Sequence, residues 1–192
     1  INATNNLLYV ADTDNNRIQV IKLVDGNTCP SGTTEIVDGA CFVKKFGSSG
    51  TDDGEFDSPT GLAINATNNL LYVADTDNNR IQVFKIIDSN TCPSGTTEIV
   101  DGVCFVEKFG SLGTTDGKFD SPAGLALDTK NNLLYMVDTG NSRIQAFTST
   151  VTSSSTSTLD SPKNLKTYPV SPTSVLLTWD VPILSTGTPS IT

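Results

Sequence analysis

The chain of 192 residues carries 12 Lys and Arg against 21 Asp and Glu, contains no histidine, and has a formal net charge of −9. This charge disfavours binding to nucleic acid and to anionic membrane surfaces, because both need a surplus of basic side chains. Without histidine there is no Ser-His or Cys-His dyad, so we expect a protein that is not an enzyme and uses no cofactor. No apolar stretch reaches the length of a membrane span, so no direct membrane insertion is expected.

A repeat of 63 residues organises most of the chain. Residues 1–63 and 64–126 align without a gap and are identical at 53 of 63 positions, and a diverged third copy covers residues 127–147. The apolar runs are short and bounded by Asn, Asp, Gly and Pro, which predicts an all-β fold. Repeats of this length are typical of stacked supersecondary units that bury a core only between neighbours.

Four strands are predicted in the second copy, where the repeat is complete. A tight turn of Asp and Asn residues at 77–79 joins the second strand to the third. The first copy lacks the first strand, and the third copy ends after its third strand. Four antiparallel strands per repeat form one blade of a β-propeller. The predicted strands are Gly61–Asn65, Leu70–Thr76, Arg80–Ile87 and Cys104–Phe109.

The string FGSSGTDDGEFDSPTGLAINATNNLLYVADTDNNRIQVFK at residues 46–85 resembles an NHL repeat. The resemblance covers residues 1–147 and implies NHL-type β-propeller blades that act as binding platforms. Some NHL-type propellers are copper- and zinc-dependent lyases, but the histidine ligands of those enzymes have no counterpart here. RNA-binding members of the family use basic surfaces, which this acidic chain lacks.

The sequence departs from the NHL pattern by an insertion between the third and fourth strands, Asp25–Ala40 in the first copy and Asp88–Val103 in the second. NHL repeats usually have a short turn at this place. We expect the insertion to form a protruding hairpin that is closed by a disulfide.

Each insertion lies beside two cysteines with 11 residues between them. Four cysteines allow three pairings, and the tandem identity of the repeats favours the local one. Free thiols and a metal site are the alternatives, although the chain has no histidine and no closely spaced CxxC pair. Disulfides would place the protein in an extracellular or cell-surface environment. The expected pairs are Cys29 with Cys41 and Cys92 with Cys104.

The turn with the sequence DTDNNR has two possible roles. Its alternating carboxylates superficially resemble the start of a calcium loop, which makes Asp12, Asp14, Asp75 and Asp77 weak calcium candidates. The glycine and the distant glutamate of an EF-hand loop do not follow, so we expect no metal there. In the favoured interpretation the first Asp of each turn bonds an Arg five residues later and holds two strands in register. The expected pairs are Asp12 with Arg17, Asp75 with Arg80, and Asp138 with Arg143.

Two N-glycosylation sequons, Asn2-Ala3-Thr4 and Asn65-Ala66-Thr67, fall in the predicted turn between the first two strands. An exposed turn is where an acceptor asparagine is expected. Asn2 and Asn65 are therefore candidate glycosylation sites.

The last part of the chain changes in character. Residues 148–158 are almost entirely Ser and Thr, which predicts a flexible and potentially O-glycosylated linker. Residues 159–192 resemble the opening of a fibronectin type III domain, in which Val175, Leu177 and Trp179 alternate along a strand. The resemblance implies the N-terminal part of a β-sandwich, because such sandwiches need about 100 residues.

We interpret the chain as a piece of a larger, non-enzymatic scaffold or interaction protein of the extracellular space or cell surface. Its expected partners are proteins, glycans or copies of itself. Two alternatives remain open at this point. One is a structural subunit of an extracellular filament, whose sheets neighbouring chains complete. The other is a calcium-dependent propeller enzyme that uses loop carboxylates.

Overall fold

The computed structural model describes residues 1–26, 28–88 and 91–148, together with the strands at 163–171 and 174–180. The chain forms two compact units, Ile1–Thr150 and Val151–Thr192. The described residues form antiparallel sheets and a single turn of 3-10 helix, so the fold is all-β and propeller-like. No helix in these ranges is long and apolar enough to cross a membrane.

The first unit contains three sheets, one for each copy of the repeat, which we call blades. The first blade has the spatial order β1-β2-β4-β3, the second β5-β6-β7-β9-β8, and the third β10-β11-β12. All neighbouring strands within a blade are antiparallel. The strands are β1 (Leu7–Asp12), β2 (Arg17–Leu23), β3 (Thr34–Val37), β4 (Ala40–Phe46), β5 (Pro59–Asn65), β6 (Leu70–Asp75), β7 (Arg80–Ile86), β8 (Thr97–Val100), β9 (Val103–Phe109), β10 (Pro122–Asp128), β11 (Leu133–Asp138) and β12 (Arg143–Thr148).

The prediction of four strands per complete blade was wrong by one strand. The insertion contributes β8, which pairs with the outer edge of β9 and gives the second blade five strands. The insertion in the first blade contributes β3 in the same way. The predicted protruding hairpin is therefore part of the sheet, because its chain turns back at Asp101 and Gly102 and pairs with the following strand.

Both faces of a blade are covered where it lies between two others. In the second blade every residue of β6 is buried, as expected for a nearly continuous apolar strand. Alternate residues point to opposite sides of the sheet. We call the side with Tyr72 and Ile81 the forward face, and the side with Leu71 and Phe84 the rear face.

The core lies between successive blades. Forward-face residues of the first blade, among them Tyr9, Ile18 and Val20, pack in one cluster with rear-face residues of the second blade, among them Leu71 and Phe84. The forward face of the third blade is open in the described part of the chain. Its exposed large apolar side chains are Tyr135 at 39%, Val137 at 41% and Ile144 at 68%.

A triplet of phenylalanines recurs at each junction of two blades. In the first junction the ring centroids of Phe46 and Phe84 are 5.2 Å apart, and those of Phe56 and Phe84 are 5.8 Å apart. The second junction repeats the arrangement with Phe109, Phe119 and Phe147, whose centroids are separated by 5.4 to 6.1 Å. Edge-to-face pairs of this kind add to the stabilisation from burial, so the triplet fixes how one blade sits on the next.

The second unit contains an antiparallel pair of strands, β13 (Lys163–Ser171) and β14 (Ser174–Asp180). The predicted Ser/Thr linker at 148–158 lies outside the described residues from 149 onwards. A strand pair is too small to test the fibronectin type III resemblance of residues 159–192, which stays a prediction.

Candidate interaction surface at the disulfide-linked insertions

The four cysteines form two disulfides with the same local pairing. Cys29 is bonded to Cys41, and Cys92 to Cys104, with a Cα–Cα distance of 5.7 Å in each pair. Cys41 lies in β4 and Cys104 in β9, and both are fully buried. The disulfides therefore attach the loop of each insertion to the sheet core, and none of the four cysteines is free.

The second insertion also contacts the preceding blade. A side chain on Gly54 would approach the Cδ1 atom of Ile99 to 2.7 Å, which shows that Ile99 packs directly against this glycine. The Nζ of Lys44 in the first blade donates a hydrogen bond to the backbone carbonyl of Asp101. The insertion of the second blade therefore spans the junction, whereas Ile36 in the first insertion, the counterpart of Ile99, is 50% exposed.

A cavity of about 350 Å³ lies between the first and second blades, next to both insertions. Its volume is within the range of small-ligand sites in proteins. Pro30 and Thr33 of the first insertion line one side, and Lys22, Lys44, Asp88 and Asp101 supply its charged groups. Its apolar wall is entirely aliphatic and consists of Leu7, Val20, Val43, Ile86, Ile87 and Val103.

Tyr9 is buried beside this cavity. It pairs across the strands with Val20, a lining residue, and its hydroxyl has no hydrogen-bond partner among the described residues. Burial, and to a smaller degree the negative charge of Asp88, raise the pKa of Tyr9 to about 12. The phenol therefore stays neutral at ordinary pH.

The predicted Asp–Arg turn pairs lie on the rear face of each blade. In the second blade the Nε of Arg80 donates to the Oδ2 of Asp75 at 2.6 Å, and both side chains are buried. The guanidinium also donates to the backbone carbonyls of Thr51, Asp52 and Glu55, at 2.5 to 3.0 Å. The pair therefore joins β6 to β7 and, in addition, fastens the blade to the loop that precedes it.

The equivalent pairs in the outer blades are more exposed. The Nε of Arg17 lies 2.6 Å from Asp12, and the Nε of Arg143 lies 2.7 Å from Asp138. Burial tends to raise the pKa of Asp138, but hydrogen bonds from the backbone of Asp120, from Arg143 and from two amides outweigh it and lower the pKa to about 2. Hydrogen bonds from Asn15 and Arg17 likewise lower the pKa of Asp12.

The calcium candidates do not converge on a common site. Asp12 and Asp75 accept hydrogen bonds from arginine, asparagine and glutamine side chains. Asp14 and Asp77 are exposed residues of the turns. Within the described residues, no group of three or more Asp, Glu, Cys or His is placed to hold a metal ion.

Sequence reasoning missed the role of one glutamine in each blade. Gln82 is fully buried, donates from Nε2 to Asp75 and to the carbonyl of Glu55, and accepts from the backbone N–H of Gly54. Gln145 makes the same set of bonds in the third blade. The recurrence of Arg-Ile-Gln in all three copies was the available signal.

The predicted exposure of the sequon asparagines was wrong. Asn2 is 1% exposed and Asn65 is 5% exposed, because each ends or flanks a strand rather than lying in the turn. The Oδ1 atoms accept hydrogen bonds from the backbone N–H of Thr4 and Thr67, each at 3.0 Å. In the third copy Asp128 stands at this position and accepts from the N–H of Lys130 in the same way, so the residue caps the turn.

Comparison with known families agrees with this architecture. The sequence profile of the NHL repeat matches residues 56–84 and 119–147, which run from the second phenylalanine of each junction triplet to the third. These two segments are NHL repeats, a type of repeat that generally mediates protein interactions. The matched residues end before the region that resembles a fibronectin type III domain.

Curated relatives carry the same repeat. NHL repeat-containing protein 2 of Homo sapiens is 29% identical over 143 residues, covering 72% of this chain and 18% of the relative. The Gallus gallus protein of the same name is 28% identical over 146 residues, covering 73% and 18%. Protein brain tumor of Drosophila melanogaster is 52% identical over 40 residues, covering 21% and 4%. The chain spans less than a fifth of the length of these relatives.

Proposed function

We propose that this chain is a non-enzymatic interaction module of an extracellular or cell-surface protein, and that it binds a protein partner at its two insertions. The carrying observation is the position of the aliphatic cavity, which lies at the junction of two blades beside both disulfide-linked insertions. NHL repeats mediate protein interactions, and here the insertions add a surface that the plain repeat does not have.

The chemistry of the cavity supports a protein ligand with an apolar side chain. Its aliphatic wall favours the burial of such a side chain, and the surrounding lysines and aspartates offer hydrogen bonds to the backbone of the partner.

The proposed location is supported by the cysteines. All four are paired, and disulfides form and persist in oxidising surroundings. Mass spectrometry of protein from its native source, denatured in the presence of an alkylating agent and without a reductant, is expected to find both pairs oxidised. Alkylated cysteines at these four positions would contradict the extracellular location.

A pair of matched substitutions tests the binding surface. Thr33 and Thr96 occupy equivalent positions, and each hydroxyl donates at 2.7 Å to the carbonyl of a proline three residues earlier. Only Thr33 lines the cavity. We expect Thr33→Trp to abolish binding of the protein partner, and also its crosslinking to a photoreactive residue placed at position 88. Thr96→Trp should leave both the binding and the crosslinking intact. Equal capture by the two variants would contradict the proposed surface.

A further inference from the structure

The lysines that line the cavity between the first and second blades are already bound by the chain itself. The Nζ of Lys22 donates a hydrogen bond of 2.5 Å to the backbone carbonyl of Asn5. The Nζ of Lys44 donates to the backbone carbonyl of Asp101, which lies in the turn of the second insertion. Both ammonium groups of the cavity are therefore engaged by carbonyl oxygens of the protein.

The bond made by Lys22 is a feature of the repeat and not of the cavity. In the second blade the equivalent Lys85 donates at 2.5 Å to the backbone carbonyl of Asn68, which is the equivalent of Asn5. Lys85 does not line the cavity. Because the same bond forms in both copies, this lysine serves to bind the turn of its own blade, and its position does not depend on a ligand.

The two aspartates of the cavity have open carboxylates. Asp88 and Asp101 are both exposed, and among the described residues neither carboxylate accepts a hydrogen bond or forms an ion pair. After burial, the negative charge of Asp88 is the second cause that raises the pKa of Tyr9, so this carboxylate lies close enough to act on a buried phenol of the junction. The cavity therefore offers a ligand two anionic groups.

The rest of the cavity wall suits the stem of a basic side chain. Six Leu, Val and Ile residues form its apolar part. The methylene groups of Lys and Arg pack on such apolar surface while their charged heads remain in water. Since the open carboxylates lie at exposed residues and the wall is aliphatic, an apolar stem that ends in a positive charge matches both parts of the cavity.

The charge of the whole chain also favours a cationic ligand. The sequence has 21 acidic and 12 basic residues and a formal net charge of −9, so its field attracts positive groups. An anionic ligand would meet this field, the two open carboxylates of the cavity and two ammonium groups that are already engaged. Charge complementarity therefore selects a basic side chain over an acidic one.

We propose that the cavity receives a lysine or arginine side chain of the protein partner, with its stem on the aliphatic wall and its cationic head at the carboxylates of Asp88 and Asp101. This inference rests on the proposed function, since it names the side chain that the surface at the insertions binds. Asp88 begins the second insertion and Asp101 lies in its last turn. Recognition of the positive charge is thus a property of the inserted segment, which the plain repeat does not have.

The test uses capped peptides of the form acetyl-Gly-Gly-X-Gly-Gly-amide, titrated into the full, disulfide-bonded chain with isotopically labelled methyl groups. X is lysine, norleucine, which keeps the carbon chain without the charge, or diaminobutyric acid, which keeps the charge on a shorter stem. With the lysine peptide we expect saturable shifts of the NMR signals of Val20, Val43 and Ile86. The other two peptides should bind about tenfold more weakly, since each lacks one of the two matching parts.

The first insertion provides matched controls for the two carboxylates. Asp25 and Asp38 are the equivalents of Asp88 and Asp101 in the first copy, are exposed, and do not line the cavity. Asp88→Asn and Asp101→Asn should each weaken the lysine peptide about threefold, the usual size of one exposed ion pair, and leave the norleucine peptide unaffected. Asp25→Asn and Asp38→Asn remove the same charge and should leave both affinities unchanged.

Equal losses of affinity from the variants of both insertions would show attraction by the net charge alone and overturn the inference. Absence of saturation with the lysine peptide would overturn it too. Tighter binding of the norleucine peptide, blocked by Thr33→Trp, would overturn the basic side chain but support the proposed surface as an apolar site. Failure of the proposed function itself is read separately, from equal binding of the protein partner by Thr33→Trp and Thr96→Trp. Methyl spectra of each variant without peptide check that it is folded.

Discussion

The Oγ1 hydroxyl of Thr76 donates a hydrogen bond of 2.9 Å to the backbone carbonyl of Pro122, across the junction between the second and third blades. The first junction contains the same bond, from Thr13 to Pro59 at 2.8 Å. In both junctions an asparagine three residues further on accepts from the backbone of the next blade. The turns between β1 and β2 and between β6 and β7 therefore connect successive blades, because their polar residues bind the start of the first strand of the following blade.

Arg80→Ala is expected to destabilise the chain strongly. The substitution leaves the fully buried carboxylate of Asp75 without its cation and removes three bonds to the preceding loop. Breaking a buried ion pair from one side costs about 3–5 kcal/mol. Urea denaturation followed by circular dichroism gives the free energy of unfolding.

Arg17→Ala is the matched control for this prediction, since Arg17 keeps only its bond to Asp12 among the described residues. Its effect on unfolding should be much smaller. An equal loss of unfolding free energy in the two variants would show that the contacts between Arg80 and the preceding loop contribute little to stability.

Reduction of the disulfides should expose the two insertions to proteolysis at different rates. Glu35 and Glu98 stand in the identical sequence Thr-Glu-Ile-Val, so a glutamate-specific protease meets the same local site twice. The first insertion should be cut sooner, because Ile36 is exposed whereas Ile99 packs on Gly54. Mass spectrometry of a time course identifies the order of cleavage, and cleavage at Glu98 first would contradict it.

Tyr9→Phe is expected to leave the chain as stable as before or to stabilise it by up to about 1–3 kcal/mol, the usual penalty for an unpaired buried polar group. Its hydroxyl has no partner among the described residues. Thermal unfolding at neutral pH provides the measurement, and Tyr135→Phe, at a half-exposed ring, serves as the control. A clear loss of stability in Tyr9→Phe would reveal a bound water or another partner.

The same tyrosine predicts a loss of stability at high pH. The folded-state pKa of about 12 lies above the ordinary tyrosine pKa of 10.0, so the neutral phenol stabilises the fold fully below pH 10. This contribution is lost as the pH rises from about 10 towards 12. The melting temperature of Tyr9→Phe should therefore fall less steeply over this range than that of the wild type.

Asp138 predicts an acid-dependent loss of stability. Its pKa falls from 3.8 to about 2 on folding, so its contribution is present above about pH 4 and is lost as the pH falls towards 2. The melting temperature of Asp138→Asn should be lower than that of the wild type at pH 6, and the gap should narrow between pH 4 and 2. A constant gap over this range would contradict the assignment.

Asn65→Asp is expected to be well tolerated, because a carboxylate already performs the same capping at Asp128 in the third copy. Asn65→Ala should destabilise the chain by about 1 kcal/mol through the lost bond to Thr67. Because the side chain is buried, glycopeptide mass spectrometry of the folded protein should find Asn65 unmodified. A glycan at full occupancy would show that the turn opens to admit it.

The sequence predicted the strands of each blade well where apolar residues and turn residues alternate clearly. Leu70–Asp75 and Arg80–Ile86 lie within one residue of their predicted ends. The strand Thr97–Val100 was missed because its sequence of four residues, one of them a glutamate, is too short to distinguish a loop from an edge strand. The segment Thr97–Val100 becomes a strand because it pairs with β9, and this pairing cannot be read from the segment itself.

The contacts that Arg80 makes with Asp75 and with the preceding loop were predicted in part, for a related reason. The spacing of Asp75 and Arg80 across a tight turn predicts a pair, because residues that flank such a turn lie opposite each other. The other contacts of Arg80 end on backbone carbonyls 25 to 29 residues away. A carbonyl oxygen is common to every residue, so no side-chain pattern marks the loop as a partner.

The binding of an Arg and a Gln side chain to the preceding loop also gives the chain a direction of assembly. Arg80 and Gln82 bind a loop that a ribosome has synthesised about 25 residues earlier, and Arg143 and Gln145 do the same one repeat later. Each new blade therefore finds its support already made as it emerges, since domains fold as they are synthesised from the N-terminal side. A defect in one blade should hinder the blades that follow it during translation more than the blades that precede it.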